Sequence, residues 1–307
     1  MNTKTNTVIL AITSCLLWAT AYASIKIGLL YDTPFHFAGA RFIISGLLIL
    51  PFTVAPAIYI RQVRENWKVV SLVTLFQILV NYSFFYQGLN IVPGALGAVI
   101  VGSQPLVTAV IASIMNKNDK LTKNKLITIF SGIAGVIIIS AGRQAFKLGT
   151  ALELLGVFML LIANAGVSVS NVIVSVRGHG INPFVLSSST LFLGGVILYL
   201  VSIPVEGISN WNMPVDYWLS LAWLSFMAAA AFSIWYKLLQ RPGVKVSELN
   251  LWKFIIPGIG AILSWLIVPG EKPDWFTVAG MIIITSSLVL FFRSNKPSPV
   301  QDDKFTV

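Results

Sequence analysis

The chain has 307 residues, of which 56% are hydrophobic and 10% are charged, and its mean hydropathy is +0.83. Soluble domains carry roughly 25% charged residues, so most of this chain is unsuited to face water. The formal net charge is +10, but the basic residues lie between apolar runs and form no single soluble patch. This distribution argues against nucleic-acid binding and is the topology signal of a membrane protein.

Apolar runs bounded by charge, proline or glycine predict about ten membrane-spanning helices. A segment in hydrocarbon must pair its own backbone groups, so runs of this length without strand-like alternation fold as helices. The predicted spans are 7–29, 35–55, 69–89, 93–115, 126–142, 152–174, 184–203, 217–239, 248–268 and 276–292. The linkers between them are short, which makes consecutive helices antiparallel neighbours.

Lysine and arginine residues collect in alternate loops. Fifteen fall on one side of the membrane, three on the other (Arg143, Lys147 and Lys272), and three inside apolar runs. Positively charged loops stay in the cytoplasm, so we expect both termini to be cytoplasmic. The sequence therefore predicts a multi-pass protein of the cell inner membrane.

Two pairs of segments repeat along the chain in the same order, at offsets of 149 and 152 residues. They are 34–50 with 183–199, and 105–122 with 257–274. Gly46 thereby matches Gly195, and Pro105 matches Pro257. Similarity within each pair is modest, but two pairs in the same order indicate an internal duplication.

Each predicted half holds five spans, and this odd number makes the second half enter the membrane from the opposite side. The expected fold is therefore an all-α integral membrane protein with ten helices in two inverted five-helix repeats around a central cavity. The first repeat covers 1–147 and the second 148–293, and 294–307 forms a polar cytoplasmic tail.

Four stretches of the chain resemble the EamA-type carriers of the drug/metabolite transporter superfamily. They are LLWATAYASIKIGL (16–29), PFHFAGARFIISGLLIL (34–50), the segment 81–122 and the segment 246–280. The order and spacing of these stretches carry the resemblance. It implies ten helices, cytoplasmic termini, a central cavity and transport, commonly export, of amino acids, related metabolites or drugs.

One departure from the family pattern follows the predicted fourth helix. The family usually has Glu at this position, whereas this chain has Asp119, and the second repeat keeps Glu271.

Cations inside the predicted spans are the first candidates for substrate contact, because each buried charge costs about 2.5–3.5 kcal/mol on insertion scales. Lys253 lies roughly 7 Å to the cytoplasmic side of the midplane, at ~1.5 Å per residue. Pro257 follows four residues later and removes a helix hydrogen bond. We expect Lys253 to bind a substrate carboxylate or phosphate, and snorkelling to the inner surface is the alternative. Arg41 and Lys26 either contact substrate or bond helix-end carbonyls.

Aromatic and amide residues within the spans predict a lined cavity. The candidate lining residues are Trp18, Tyr82, Tyr86, Trp235, Asn81 and Gln104. Tyr82 and Tyr86 are four residues apart and share a helix face. Anchoring at the membrane interface is the alternative for the tryptophans and tyrosines. Pro105 and Pro257, at matched places in the repeats, are candidate gating residues, and ordinary packing is their alternative.

No Asp or Glu lies in the middle of a predicted span. An exporter that exchanges a lipophilic cation for protons through a central carboxylate needs such a residue. The positive field inside the membrane favours anionic or zwitterionic cargo instead.

Soluble-enzyme motifs are also missing from the sequence, including GxxxxGK[ST], HExxH and GxSxG. The sequence therefore predicts no enzyme, no cofactor and no metal site. The expected partners are a small-molecule substrate and the lipid bilayer, with no nucleic acid and no evident protein partner.

The function expected from the sequence is secondary transport of a small organic metabolite by alternating access. The favoured activity is export of amino acids or related anionic or zwitterionic compounds. One alternative is an exchanger of phosphorylated metabolites or nucleotide sugars. A membrane-embedded enzyme or sensor is the alternative from another class.

Overall fold

The computed structural model describes residues 3–92, 94–141, 151–208, 212–267 and 275–294, and these contain helices and no strand. The helices are α1 (Thr3–Gly28), α2 (Pro34–Ile49), α3 (Pro56–Glu65), α4 (Trp67–Val73), α5 (Asn81–Ile91), α6 (Gly94–Gly102), α7 (Gln104–Met115), α8 (Lys123–Ala141), α9 (Ala151–Arg177), α10 (Pro183–Glu206), α11 (Val215–Leu239), α12 (Val246–Leu251), α13 (Ile255–Ile267) and α14 (Trp275–Ser294). A π-helical segment, Thr74–Val80, joins α4 to α5, and a 3-10 turn, Trp252–Phe254, joins α12 to α13. The predicted all-helical class is confirmed.

Five segments within the described residues are long and apolar enough to cross a membrane. They are Pro34–Phe52, Trp67–Leu89, Ala151–Gly180, Pro183–Glu206 and Val215–Leu239. Their outer surfaces expose large apolar side chains, such as Phe158 in α9 and Leu219 in α11, each more than 60% exposed. Contiguous apolar surface of this kind faces lipid, so the chain is a multi-pass membrane protein.

Three features differ from the continuous spans that the sequence predicted. The predicted helix 93–115 is interrupted at Ser103, between α6 and α7. The predicted helix 248–268 is interrupted by the 3-10 turn 252–254, and the segment 74–80 widens into a π-helix. α3 is a further helix in a stretch that was predicted to be a loop. π-helical segments and breaks of this kind are frequent at functional sites.

Helices from the first part of the chain pack mainly against helices from the second. α2 packs along α10, α1 along α11, α5 along α9 and α8 along α14. α7 also packs on α9, and α13 packs on α1. The core is therefore an interface between residues 3–141 and 151–294.

Glycines allow α2 and α10 to approach closely. A Cβ atom on Gly195 of α10 would lie 2.5 Å from the backbone nitrogen of Ile43 in α2. A Cβ atom on Gly46 of α2 would lie 2.7 Å from the backbone nitrogen of Phe192 in α10. Gly46 and Gly195 are the pair that the sequence repeat matched. Gly46 therefore brings α2 close to α10, and Gly195 brings α10 close to α2 in the same way.

We expect Gly195→Ala to destabilise the protein by about 1–3 kcal/mol, because the added methyl group meets backbone atoms that can only move by separating the helices. The matched control is Gly260→Ala in α13, where nothing lies within 4 Å of the added carbon. That change should be neutral or stabilising by up to about 1 kcal/mol through helix propensity. Thermal unfolding of the purified variants in detergent measures both effects, and equal melting temperatures would contradict the close contact.

Candidate functional site

Lys253 lies at the interruption between α12 and α13, where its side chain meets two indole rings. The Lys253 Nζ atom is 5.2 Å from the centre of the Trp18 ring and 4.9 Å from that of Trp235. Trp18 belongs to α1 and Trp235 to α11, so three separate helical segments form this site. A cation against an aromatic face gains about 0.5–2 kcal/mol, which offsets part of the cost of removing the ammonium from water.

The two indoles pack edge to face, with ring centroids 5.0 Å apart and an interplanar angle of 67°. Trp235 is 1% exposed, and its Nε1 atom has no hydrogen-bond partner. Lys253 itself is partly accessible. An indole N–H donor without a partner is therefore enclosed beside a partly accessible lysine.

Arg41 of α2 is a second cation held by aromatic rings. Its guanidinium carbon lies 4.5 Å from the centre of the Phe42 ring and 5.2 Å from that of Tyr82. Arg41 is 2% exposed, and its Nε atom has no hydrogen-bond partner. The Tyr86 ring lies 6.0 Å from that of Tyr82, and the Tyr86 hydroxyl is also buried and unpaired.

Within the described part of the chain, no carboxylate forms an ion pair with Lys253 or Arg41. The described acidic residues lie in turns or near helix ends: Asp32, Glu65, Asp119, Glu153, Glu206, Asp216 and Glu248. Glu206 binds the first turn of α2, roughly 9 Å of helix rise from Arg41, and Glu248 lies roughly 7 Å of rise from Lys253. Neither carboxylate forms an ion pair with Arg41 or Lys253.

Gln104 and Asn81 occupy different environments. Gln104 Nε2 donates to Thr108 Oγ1 at 2.7 Å and to Asn250 Oδ1 at 3.3 Å. Asn250 also accepts from Asn171 Nδ2 at 3.1 Å, so this buried amide network joins α7, α9 and α12. Asn81 is partly exposed at the start of α5. Substrate contact remains a prediction for both residues.

The candidate gating prolines lie just after two helix interruptions. Pro105 is the second residue of α7, following Ser103, and Pro257 is the third residue of α13. A proline in a first turn lacks an N–H that no intrahelical carbonyl requires, so it favours a new helix start at that position. The backbone breaks in the two spans thus coincide with the paired prolines, and their gating role remains a prediction.

α12, which precedes Lys253, is fixed by a buried ion pair from the turn between α7 and α8. Asp119 Oδ1 lies 2.7 Å from Lys125 Nζ, and Asp119 Oδ2 accepts from the Ser247 backbone N–H at 2.8 Å. The Ser247 hydroxyl donates to the same carboxylate. Asp119, which departs from the family pattern, therefore caps α12 and links it to α8.

Sequence reasoning missed a second polar cluster at the opposite end of the helices. His36 Nδ1 lies 2.7 Å from Asp32 Oδ2, which also accepts from the Tyr217 hydroxyl at 2.8 Å. Glu206 accepts from the backbone N–H groups of Phe35 and His36, at 3.0 and 3.1 Å. The i,i+4 spacing of Asp32 and His36 was the available sequence signal. The Lys26 side chain lies outside the described residues.

These features define a multi-pass helical membrane protein with a cation-containing, aromatic-lined interior. The model of the EamA-like transporter family matches residues 5–141 and 154–293, as two copies in one chain. The chain belongs to this family, and the predicted family resemblance is confirmed.

Two relatives match this chain over nine-tenths of its length or more, and one of them is named a transporter. An uncharacterized transporter of Bacillus subtilis, YvbV, is 25% identical over 294 residues, covering 95% of this chain and 93% of its own. The WAT1-related chloroplastic protein At3g02690 of Arabidopsis thaliana is 24% identical over 292 residues, covering 91% of this chain and 67% of its own. A protein of known crystal structure, 17% identical in sequence, superposes with a TM-score of 0.81 over 95% of this chain and 99% of that protein's chain. This similarity supports the fold and no particular function.

We expect Asp119→Asn to destabilise the protein by about 3–5 kcal/mol, because Lys125 would remain buried without its carboxylate. The matched control is Glu248→Gln, whose carboxylate lies 3.8 Å from Lys125 and is partly exposed. That substitution should cost no more than about 1 kcal/mol. Unfolding of both variants in detergent gives the comparison. A larger loss of stability in Glu248→Gln than in Asp119→Asn would contradict the role given to Asp119 in holding α12.

Proposed function

We propose that the chain is a secondary transporter of a small organic metabolite. Amino acids and related anionic or zwitterionic compounds are the favoured substrates. The observation that carries this proposal is the contact of Lys253 with Trp18 and Trp235 inside the helix bundle. A partly accessible ammonium is positioned there to bind a substrate carboxylate, and the indole faces provide contact for an apolar body. Transport is the activity named for its relatives, and export is the direction that the family resemblance implies.

The proposed architecture has ten membrane crossings in two inverted repeats. The crossings are α1, α2, α4–α5, α6–α7, α8, α9, α10, α11, α12–α13 and α14. Exchanging each crossing with its counterpart five positions away leaves the pairs α2–α10 and α8–α14 unchanged. The same exchange converts α1–α11 into α9–α5, and α7–α9 into α13–α1. Such a pattern supports a two-fold relation between repeats 1–147 and 148–293, which would rock around a central cavity.

In the proposed orientation the protein lies in the cell inner membrane with both termini in the cytoplasm. Residues 294–307 would form a cytoplasmic tail. The charge bias of the loops supports this orientation. On this topology, the interruption that carries Lys253 lies in the inner half of the membrane. The cluster around Asp32 and His36 then lies at the outer end of the bundle.

Single cysteines introduced by Lys117→Cys and Asn212→Cys test the orientation, in a background where Cys15→Ser removes the native thiol. Both positions are exposed. A membrane-impermeant maleimide added to intact spheroplasts should label the Asn212→Cys variant, and should label the Lys117→Cys variant only after lysis. The opposite pattern would invert the proposed topology.

Replacing Lys253 with alanine should lower counterflow of the identified substrate in proteoliposomes by about tenfold or more, since a charge-assisted contact would be lost. The control is Lys237→Ala, an exposed lysine in the last turn of α11, for which we expect a change of no more than about twofold. A metabolite panel offered to the wild-type protein identifies the substrate. Wild-type binding and counterflow by Lys253→Ala would refute the role given to Lys253.

A further inference from the structure

The described interior around the two cations contains an excess of hydrogen-bond donors. Lys253 Nζ has no hydrogen-bond or ion-pair partner in the described part of the chain, and Arg41 Nε and Trp235 Nε1 are buried and unpaired. The hydroxyl of Tyr86, which can donate or accept, is a fourth unpaired polar group. Phe42, Tyr86 and Trp235, which border these groups, belong to one continuous hydrophobic cluster.

No carboxylate of the described residues forms an ion pair with Lys253 or Arg41. The described carboxylates lie in turns or near helix ends, and those of Asp32, Asp119 and Glu206 already accept hydrogen bonds. The Lys253 carbonyl, which Pro257 deprives of its helical donor, accepts from the Ile255 N–H instead. An ammonium group has three donors and no acceptor, so it would find no charged partner here and would be repelled by Lys253.

An oxyanion has the opposite properties. A carboxylate is an acceptor only, with two oxygens that can each take more than one hydrogen bond. Charge-assisted bonds from an ammonium or a guanidinium to a carboxylate are roughly twice as strong as bonds between neutral groups. The walls of the site are aromatic, with Trp18 and Trp235 edge to face and Phe232 5.8 Å from Trp18. They match a flat or apolar body.

We propose that the Lys253 site selects organic carboxylates with an aromatic or apolar body and has no place for a charged amine on the ligand. This inference rests on the proposed function and narrows its substrate class from amino acids and related compounds to amine-free acids. The Lys253 ammonium binds the carboxylate, the Trp235 N–H is a second donor beside it, and the indole faces contact the body.

Three ligands with the same phenylethyl body separate the charges. They are 3-phenylpropanoate with a carboxylate only, L-phenylalanine with both charges, and 2-phenylethylamine with an ammonium only. Binding is measured by isothermal titration calorimetry on the full-length protein in lipid nanodiscs at neutral pH, which avoids passive permeation of the acid. We expect 3-phenylpropanoate to bind about tenfold or more tightly than L-phenylalanine, and 2-phenylethylamine not to bind.

Variants assign the effect to Lys253. Lys253→Gln should weaken 3-phenylpropanoate binding by about tenfold or more, and Lys253→Arg should keep most of it, since the charge remains. Lys237→Gln is the matched control and should change binding by no more than about twofold. The ranking of the three ligands on the wild-type protein needs no variant, so it stands even if Lys253→Gln misfolds.

The outcomes separate this inference from the proposed function. Equal or tighter binding of L-phenylalanine, binding of the amine, or binding of none of the three ligands would overturn the selection of amine-free carboxylates. If L-phenylalanine is moved in counterflow with dependence on Lys253, transport stands and this inference fails. If 3-phenylpropanoate binds as expected but is not moved, this inference stands and the transport proposal fails for that ligand.

Discussion

The energetic constraint that shapes this interior is the placement of two cations inside the helix bundle, where no carboxylate of the described residues forms an ion pair with them. Lys253 and Arg41 are held by aromatic faces, at 4.5–5.2 Å from ring centres. A cation–π contact returns only part of what dehydration of a charge costs. The ammonium of Lys253 and the guanidinium of Arg41 can therefore still bind an anion. This residual affinity, placed inside a membrane, is the physical reason to assign a ligand to the space beside Lys253.

The rest of the fold holds this site between separate helical segments. Trp18 comes from α1, Trp235 from α11 and Lys253 from the break between α12 and α13. Asp119 fixes the start of α12, and the close contact of Gly46 and Gly195 fixes α2 against α10. Most large helix contacts join the two parts of the chain, so a movement of one part against the other would alter the walls of the site. This arrangement suits a carrier whose ligand binds at the interface between moving parts.

Much of the helical framework was predictable from the sequence, because hydrocarbon requires long apolar segments with internally paired backbones. The interruptions were harder to predict. Prolines at 105 and 257 indicated irregularity, but periodicity could not tell a kink from a new helix start after Ser103. α3 escaped prediction because it is short and polar enough to resemble a loop.

The individual site residues were also easier to predict from the sequence than the contacts between them. Trp18, Trp235 and Lys253 were each identified as cavity candidates, since charge and aromatic rings within a span are distinctive. Their mutual contact required three-dimensional packing. The network of Gln104, Asn171 and Asn250 was not predicted, because an amide on an apolar helix carries no signal that names its partner. Gln104 has Thr108 and Asn250 as hydrogen-bond partners, and its contact with substrate stays a prediction.

Thiol labelling measures whether residue 253 faces water or lipid. Lys253→Cys is introduced into a Cys15→Ser background and treated in nanodiscs with an anionic, membrane-impermeant thiosulfonate and with a lipid-soluble maleimide. We expect rapid reaction with the anionic reagent, because a ligand site at residue 253 must be open to water. Reaction with the lipid-soluble reagent alone would place residue 253 against lipid and contradict a binding site there.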